Sequence, residues 1–236
     1  MKKIALDVDG VLLSFMPAFD RAAKELLGKD LPINKDEFKL DHYHLGKRIN
    51  ATDEDVTNIL NYMITSGMYA RLDPLPEVKE ALDAIKKENF KIYIVTALPE
   101  AAKAMRLLNL QEKLDLVPDE IYCVGMGKSK ADALNEIKPD IFIDDRIDYL
   151  ASSPTIYHLV WIDQKESQKD TSSMVDVHVH SLKEWTDNHM PRVVKKLDRF
   201  YQESTPVQID LKLESHTRKY GTESNKLETT VKLKMR

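Results

Sequence analysis

The sequence predicts an α/β protein: a three-layer, Rossmann-like core built on a parallel sheet, a small helical insert after the first strand, and a C-terminal β-hairpin extension. Three observations carry this. Short apolar runs alternate with segments of helical periodicity, as successive βαβ units require. Residues 14–72 interrupt that alternation with helical patterns only. Residues 204–236 alternate apolar and polar side chains, the period of one-sided strands.

Each element has its own justification. Ile4-Ala5-Leu6 is a short buried strand that stops at Asp7-Val8-Asp9-Gly10. Phe15, Phe19, Ala22, Ala23, Leu26 and Leu27 then recur at helical spacing, and Gly28 is a C-terminal stop. Lys35 to Asn50 is polar. Thr52-Asp53-Glu54-Asp55 resembles a capping arrangement for a second helix striped by Val56, Ile59, Leu60, Met63 and Ile64. Pro76 opens a helix with Val78, Leu82 and Ile85 on one face, and Lys91 to Thr96 is the second strand. Pro99 starts a helix running to about Leu114, followed by a strand at Glu120–Val124 and a helix from Lys130 to Ile137. Ile141 to Asp145 is a fourth strand, Thr155 to Ile162 a fifth and Val175 to Val179 a sixth, with a helix from Ser181 to Tyr201 closing the domain. Val207, Ile209, Leu211 and Leu213, then Leu227, Thr229, Val231, Leu233 and Met235, are the tail strands, joined around Tyr220-Gly221. A two-stranded hairpin is marginal by itself. It is expected to pack on the body or to pair with a partner, which makes a homo-oligomer through these strands one expectation.

Composition sets bounds. Hydrophobic residues are 42% of 236, enough for a sizeable core. The net charge of −4 provides no global basic field, so nucleic acid is not an expected partner. The tail is locally basic, with Lys212, Arg218, Lys219, Lys226, Lys232, Lys234 and Arg236, and reads as a solvated strand face. The single cysteine, Cys123, lies in an apolar run without a nearby histidine; it reads as a core residue and forms no intramolecular disulfide. No apolar run approaches the ~20 residues of a membrane helix, no signal peptide is visible, and a reducing cytoplasm is the expected setting.

The chemistry is concentrated at strand ends. Burying a carboxylate costs several kcal/mol unless it is paired or bound to a metal, so a strand ending in Asp7-x-Asp9-Gly10 needs a reason. A calcium loop is one, but Leu12, Leu13, Phe15 and Met16 stand where further oxygen ligands belong. The second strand ends at Thr96, the third leads into Gly125-Met126-Gly127-Lys128-Ser129-Lys130, and the fourth ends in Asp144-Asp145. In a parallel sheet all four meet at one edge, where open α/β sheets bind ligands. Clustered acids repel unless a hard cation such as Mg²⁺ accepts their oxygens. Cation, lysine and hydroxyl together describe a receptor for a phosphoryl group. A carboxylate can attack phosphorus, and a second acid two residues on can protonate the leaving oxygen and then activate water.

In this order the elements resemble the haloacid dehalogenase superfamily of phosphohydrolases. Asp7-Val8-Asp9-Gly10-Val11 matches its first motif, Ile94-Val95-Thr96 its second, Ser129-Lys130-Ala131-Asp132 its third and Ile143-Asp144-Asp145-Arg146 its fourth. The resemblance covers roughly residues 3–165. It implies Asp7 as nucleophile, Asp9 as general acid/base with its backbone carbonyl on Mg²⁺, Thr96 as a donor to the phosphoryl oxygens and Lys130 as the charge-offsetting lysine. It also implies Asp7, Asp9, Asp144 and Asp145 as the metal set, Asp145 directly or through water. An acid at position 9 points to a phosphatase or phosphomutase rather than a dehalogenase. Gly10, Ala97 and Lys128 are expected at the substrate. Lys128 competes with Lys130 for the motif role, Asp145 could instead pair with Arg146, and Asp148 reads as a helix N-cap.

The resemblance also divides the chain: residues 1–13 and 73–203 as catalytic core, 14–72 as a helical cap and 204–236 as the β-rich extension. Cap length and the Ile-Asp-Asp-Arg ending resemble the 5′(3′)-deoxyribonucleotidase branch, implying a Mg²⁺-dependent phosphomonoesterase for a nucleoside monophosphate. Asp41-His42-Tyr43-His44 reads as a surface loop that could contact a base, and Phe15 and Met16 as pocket or core. His178 and His180 share a strand face with no acid nearby and read as surface or edge residues. Alternatives are a phosphatase for sugar phosphates or polynucleotide 3′-phosphate ends, and a non-catalytic scaffold with an interaction tail.

Overall fold

Ile4, Ala5 and Leu6 are wholly buried, and they form the strand β1 (Lys3–Leu6) at the centre of a six-stranded parallel sheet. The computed structural model describes residues 1–28, 45–164, 174–203, 213–215 and 229–231. The other strands are β2 (Lys91–Thr96), β3 (Glu120–Cys123), β4 (Ile141–Asp144), β5 (His158–Ile162) and β6 (Val177–Val179), in the order β3-β2-β1-β4-β5-β6. The direction of winding reverses at β1, between β2 and β4, and that crevice is where such sheets bind ligands.

Side-chain alternation supplies both faces of the sheet. Ile4 and Leu6 join the larger core, with Ile94, Ile143 and Ile162, under helices α1 (Phe15–Leu27), α3 (Asp53–Thr65), α4 (Val78–Lys87), α5 (Lys103–Leu114), α8 (Leu182–Asn188) and α9 (Met190–Glu203). Ala5, Val95, Phe142 and Trp161 face the other way, onto α6 (Ala131–Ile137) and α7 (Ile147–Ala151). A one-turn helix α2 (Leu45–Ile49) and a 3₁₀ turn (Met68–Ala70) complete the segment between β1 and β2. The three-layer, parallel α/β expectation is borne out.

Local signals act as the sequence suggests in several places. Thr52 accepts from the Asp55 amide at 3.1 Å while the Asp55 carboxylate accepts from the Thr52 amide at 3.0 Å, a reciprocal capping box. Gly28 ends α1 in the left-handed conformation that lacks a Cβ penalty. Other expectations need correction. The helix expected over 181–201 is broken at His189, because Pro191 disfavours helical geometry before it and lacks the amide that would continue α8. Helix α2 is not foreseen, and α7 begins at Ile147, one residue before the Asp148 expected to cap it; at five residues each they are too short to show a period. Pro99 precedes a 3₁₀ turn, not α5 itself, and β5 and β6 begin at His158 and Val177, later than expected.

The structure forms two compact units, Met1–Leu197 and Asp198–Arg236. In the second, β7 (Leu213–Ser215) and β8 (Thr229–Val231) pair antiparallel with Leu213 opposite Val231. The remaining tail positions, and Asp41-His42-Tyr43-His44, lie outside the described residues. Among the described residues, no helix is long and apolar enough to cross a membrane.

Candidate active site

Strand register builds the site. Leu6 pairs with Ile94 on one side and Ile143 on the other, so the next residues of β1 and β4, Asp7 and Asp144, emerge side by side. The Asp7 amide donates to the Ile143 carbonyl at 2.9 Å, which extends the pairing by one step. Thr96 ends β2 at the same edge, and Lys130 stands at the start of α6.

Lys130 joins the two acids. Its Nζ donates to Asp7 Oδ1 at 2.6 Å and to Asp144 Oδ2 at 2.7 Å, and all three side chains are buried. The Arg146 amide donates to Asp144 Oδ1 at 2.8 Å, the local turn that fixes this carboxylate. Two carboxylates share one ammonium. Desolvation, with the Asp7 charge, holds Asp144 above the usual carboxylate range against the pull of Lys130. Burial opposes the charge of Lys130, but the two acids outweigh it and hold the lysine cationic, well above its ordinary range.

Asp9 has a different cation. Nη2 of Arg106 donates to both its oxygens, at 2.7 and 2.8 Å. Arg106 belongs to α5 and is fully buried, whereas the Asp9 side chain is 24% exposed towards the cavity. Burial raises the Asp9 pKa, Arg106 lowers it, and the net shift is upward. Arg106 was not expected. Its signal was a cation on the apolar stripe of a helix, one turn before Leu110 and two before Leu114.

Asp7, Asp9 and Lys130 open into a cavity of about 1030 Å³. Asp7, Asp9, Gly10, Thr96, Ala97 and Lys130 line its floor, with Asp145, Arg146 and Tyr149 beside them. Phe15, Met16, Asp20, Arg48, Val56 and Tyr69 line the side contributed by residues 14–72. Phe15 and Tyr69 stack with centroids 6.3 Å apart, and Arg48 holds Asp20 in a fork at 3.1 and 2.6 Å. The Thr96 hydroxyl is buried and has no hydrogen-bond partner among the described residues. An unpaired buried hydroxyl is costly, so it marks a position where an external acceptor fits.

The donor set suits a hard divalent cation. Asp7, Asp144 and Asp145 each offer a carboxylate oxygen, all within 4.8 Å of one another, and oxygen-only sites favour Mg²⁺ or Ca²⁺ over softer metals. Gly10 explains how Asp145 gets there. A Cβ on Gly10, whose φ is +89°, would lie 2.3 Å from Asp145 Oδ2, so only glycine leaves room.

The other expected residues fall as follows. Lys128 is exposed and outside the cavity lining, folded over Gly125. The Gly10 amide donates to Leu13 and its carbonyl accepts from Gln164, so its backbone is already engaged. Asp148 does not cap α7: Arg146 occupies that position, and its guanidinium pairs with Asp148 at 3.1 and 2.5 Å. His178 and His180 are exposed on the edge strand, but an acid is near: Asp163 Oδ2 lies 3.5 Å from His178 Nε2, and His178 stacks on Trp161 at 4.4 Å. Asp163 follows β5 directly, and the chain between the strands hid it from a pattern reading. Cys123 is half-buried, and burial pushes its thiol up to about 11, away from the thiolate that a nucleophile needs.

Known proteins resemble this chain in sequence or fold. A Bacillus cereus protein named "Putative nucleotidase" is 26% identical over 147 residues, 61% of this chain and 76% of that one. A haloacid dehalogenase-like family hydrolase from Streptococcus pneumoniae superposes with a TM-score of 0.57 at 16% identity, over 78% of this chain and 96% of that one. A family IA, variant 3 hydrolase of the same class from Entamoeba histolytica gives 0.55 at 18%, over 83% and 100%. At such identities these structures speak for the fold. The family model described as haloacid dehalogenase-like hydrolase matches residues 1–141, more than half of the chain, and with it the chain belongs to that family of hydrolases.

Proposed function

We propose that this hydrolase is a Mg²⁺-dependent phosphomonoesterase that transfers a phosphoryl group to Asp7, with a nucleoside monophosphate as substrate. The observation that carries the reading is the buried Asp7–Lys130–Asp144 cluster opening onto the unpaired Thr96 hydroxyl. The nucleotide preference is supported by the relative named as a nucleotidase.

Asp7 Oδ1 is held by Lys130, and Oδ2 is the oxygen we assign to attack phosphorus. As the new P–O bond forms, the ester P–O bond breaks, and Asp9 donates its proton to the departing oxygen. Asp9 then takes a proton from water as that water attacks the phosphorus. The Asp7–phosphorus bond breaks, and orthophosphate leaves. Thr96 donates to a phosphoryl oxygen, and Lys130 balances charge on Asp7 and the transferred group. Asp7, Asp144, Asp145 and the Asp9 carbonyl would hold the cation, which when bound would neutralise the phosphoryl oxygens. Lys130 is the lysine we assign to the reaction, with Ala97 and Gly10 as substrate-side positions; Lys128, outside the cavity, is given no role.

The test is phosphate release from a panel of nucleoside 5′- and 3′-monophosphates, sugar phosphates and a 3′-phosphorylated oligonucleotide, with Mg²⁺. The expected result is preference for a mononucleotide, and loss of more than about 10³-fold in kcat for Asp7→Asn. A variant within a few-fold of wild type would rule out Asp7 as nucleophile. Preference for the oligonucleotide or a sugar phosphate would move the substrate class.

A further inference from the structure

We infer that Arg106 is a positioning residue for the acid/base step, holding the Asp9 carboxylate in place through a single forked guanidinium nitrogen. The inference rests on the phosphomonoesterase reading and adds to it a residue outside the four motifs. Nη2 of Arg106 reaches both Asp9 oxygens, at 2.7 and 2.8 Å, so the carboxylate cannot rotate without losing a contact. Arg106 itself cannot follow Asp9 outward, because it is fully buried. Its guanidinium lies 5.4 Å from the Tyr69 ring centroid, and Asn109, on the same face of α5, donates to the Leu72 carbonyl at 2.9 Å. The helix is thereby fastened to the segment 68–72, and the cation has a fixed address.

A purely structural role explains this arrangement poorly. Nε and Nη1 of Arg106 have no hydrogen-bond partner among the described residues. A buried ion pair is seldom more stabilising than an apolar pair of the same volume, and Leu110 and Leu114, also buried on this helix, are apolar. The gain lies instead in the geometry of Asp9. That residue is the one carboxylate of the cluster facing the cavity that must both give and take a proton, and it sits on a loop, not in a strand. General acid–base groups lose most of their ~10²–10⁴-fold contribution when misplaced.

The test separates proton donation from everything else by changing the leaving group. 4-Nitrophenolate departs without a proton; the 5′-alkoxide of a nucleoside does not. Wild type, Arg106→Met and Arg106→Lys are compared on 4-nitrophenyl phosphate and on a nucleoside 5′-monophosphate with Mg²⁺, by kcat/KM and by stopped flow. For Arg106→Met, kcat/KM on the nucleotide is expected to fall about 10²-fold and on the aryl ester less than about threefold, since that parameter extends only through formation of the phospho-enzyme. Hydrolysis of the phospho-enzyme still needs Asp9, so the aryl ester should show a burst of nitrophenolate equal to the enzyme, then slow turnover. Arg106→Lys keeps the charge without the fork and should shift the ratio of the two kcat/KM values in the same direction by less. A ratio unchanged from wild type overturns the inference; if the Met variant does not fold, the ratio measured for the Lys variant decides in the same way. A wild-type enzyme inactive on both esters would instead refute the phosphomonoesterase reading.

Discussion

Replacing Lys130 by methionine is the sharpest test of how this site is held together. The substitution keeps the volume and removes the ammonium that donates to Asp7 at 2.6 Å and Asp144 at 2.7 Å. Both carboxylates are buried, and only Asp7 borders the cavity, so solvent replaces the ammonium poorly. Breaking a buried ion pair by removing one partner costs about 3–5 kcal/mol, or about 6–20 °C in Tm for a domain of this size. The loss should depend on pH. Asp144 is already held above the usual carboxylate range by desolvation, and loss of Lys130 raises it further. A carboxyl whose folded pKa exceeds its unfolded one weakens the fold only when ionised. The cost is therefore absent below the ordinary carboxylate value and grows as pH rises towards the folded pKa. Urea unfolding at pH 5 and pH 8 should show the larger deficit at pH 8, partly recovered by millimolar Mg²⁺. A deficit under about 1 kcal/mol at pH 8, or the same deficit at both pH values, would mean that Lys130 does not compensate these acids.

Three further outcomes follow from the same geometry. Thr96→Val should lower kcat on the order of 10²-fold by removing one donor to the phosphoryl group, while raising the unfolding free energy of the ligand-free protein by roughly 1 kcal/mol, because its hydroxyl is buried without a partner; a less stable or fully active variant would contradict this. Gly10→Ala would put a Cβ 2.3 Å from Asp145 Oδ2 at φ +89°, so Asp145 must move; Mg²⁺ affinity by isothermal titration should drop, with a backbone cost of about 1–3 kcal/mol in stability. In the wild type, metal must displace the proton that raised Asp144 retains, so the rise in Tm on adding Mg²⁺ should increase between pH 5 and pH 8; a flat or falling dependence would place the ion elsewhere.

The sheet and the acids were legible in the sequence because both are local. Ile4-Ala5-Leu6 and Ile141-Phe142-Ile143 are continuous apolar runs, and each ends in acids that no core would otherwise accept. The parallel-sheet rule then brings Asp7, Thr96, Lys130 and Asp144 to one edge without knowledge of any side-chain contact. What could not be read is what lies between elements. Which lysine of the Lys128–Lys130 pair turns inward depends on the φ of +70° at Gly127 and on where α6 begins. Arg106 lies 97 residues from Asp9, and only the packing of α5 against the 3₁₀ turn puts them in contact. Asp163 meets His178 across the β5–β6 pairing, which no short spacing encodes. Helices of one turn escape periodicity altogether.

Two carboxylates separated by one residue can be given different work only if their surroundings differ, and here the difference is in the cations. Asp7 is tied to Lys130, which also holds Asp144, so its position belongs to the sheet edge. Asp9 is tied to Arg106, whose helix is fastened to residues 68–72, where the chain returns from the helices after β1. The outgoing and returning chains of that segment are themselves hydrogen-bonded: the Ser14 amide donates to the Asp73 carbonyl at 2.8 Å, and the Leu75 amide donates to the Leu12 carbonyl at 3.0 Å. This paired junction is contiguous with the loop bearing Asp9. Asp7 is thus tied to the sheet edge through Lys130, and Asp9 is tied through Arg106 to the segment that returns from the helices walling the cavity. On the proposed mechanism, that division places the phosphoryl side with the sheet edge and the leaving-group side with the cavity wall.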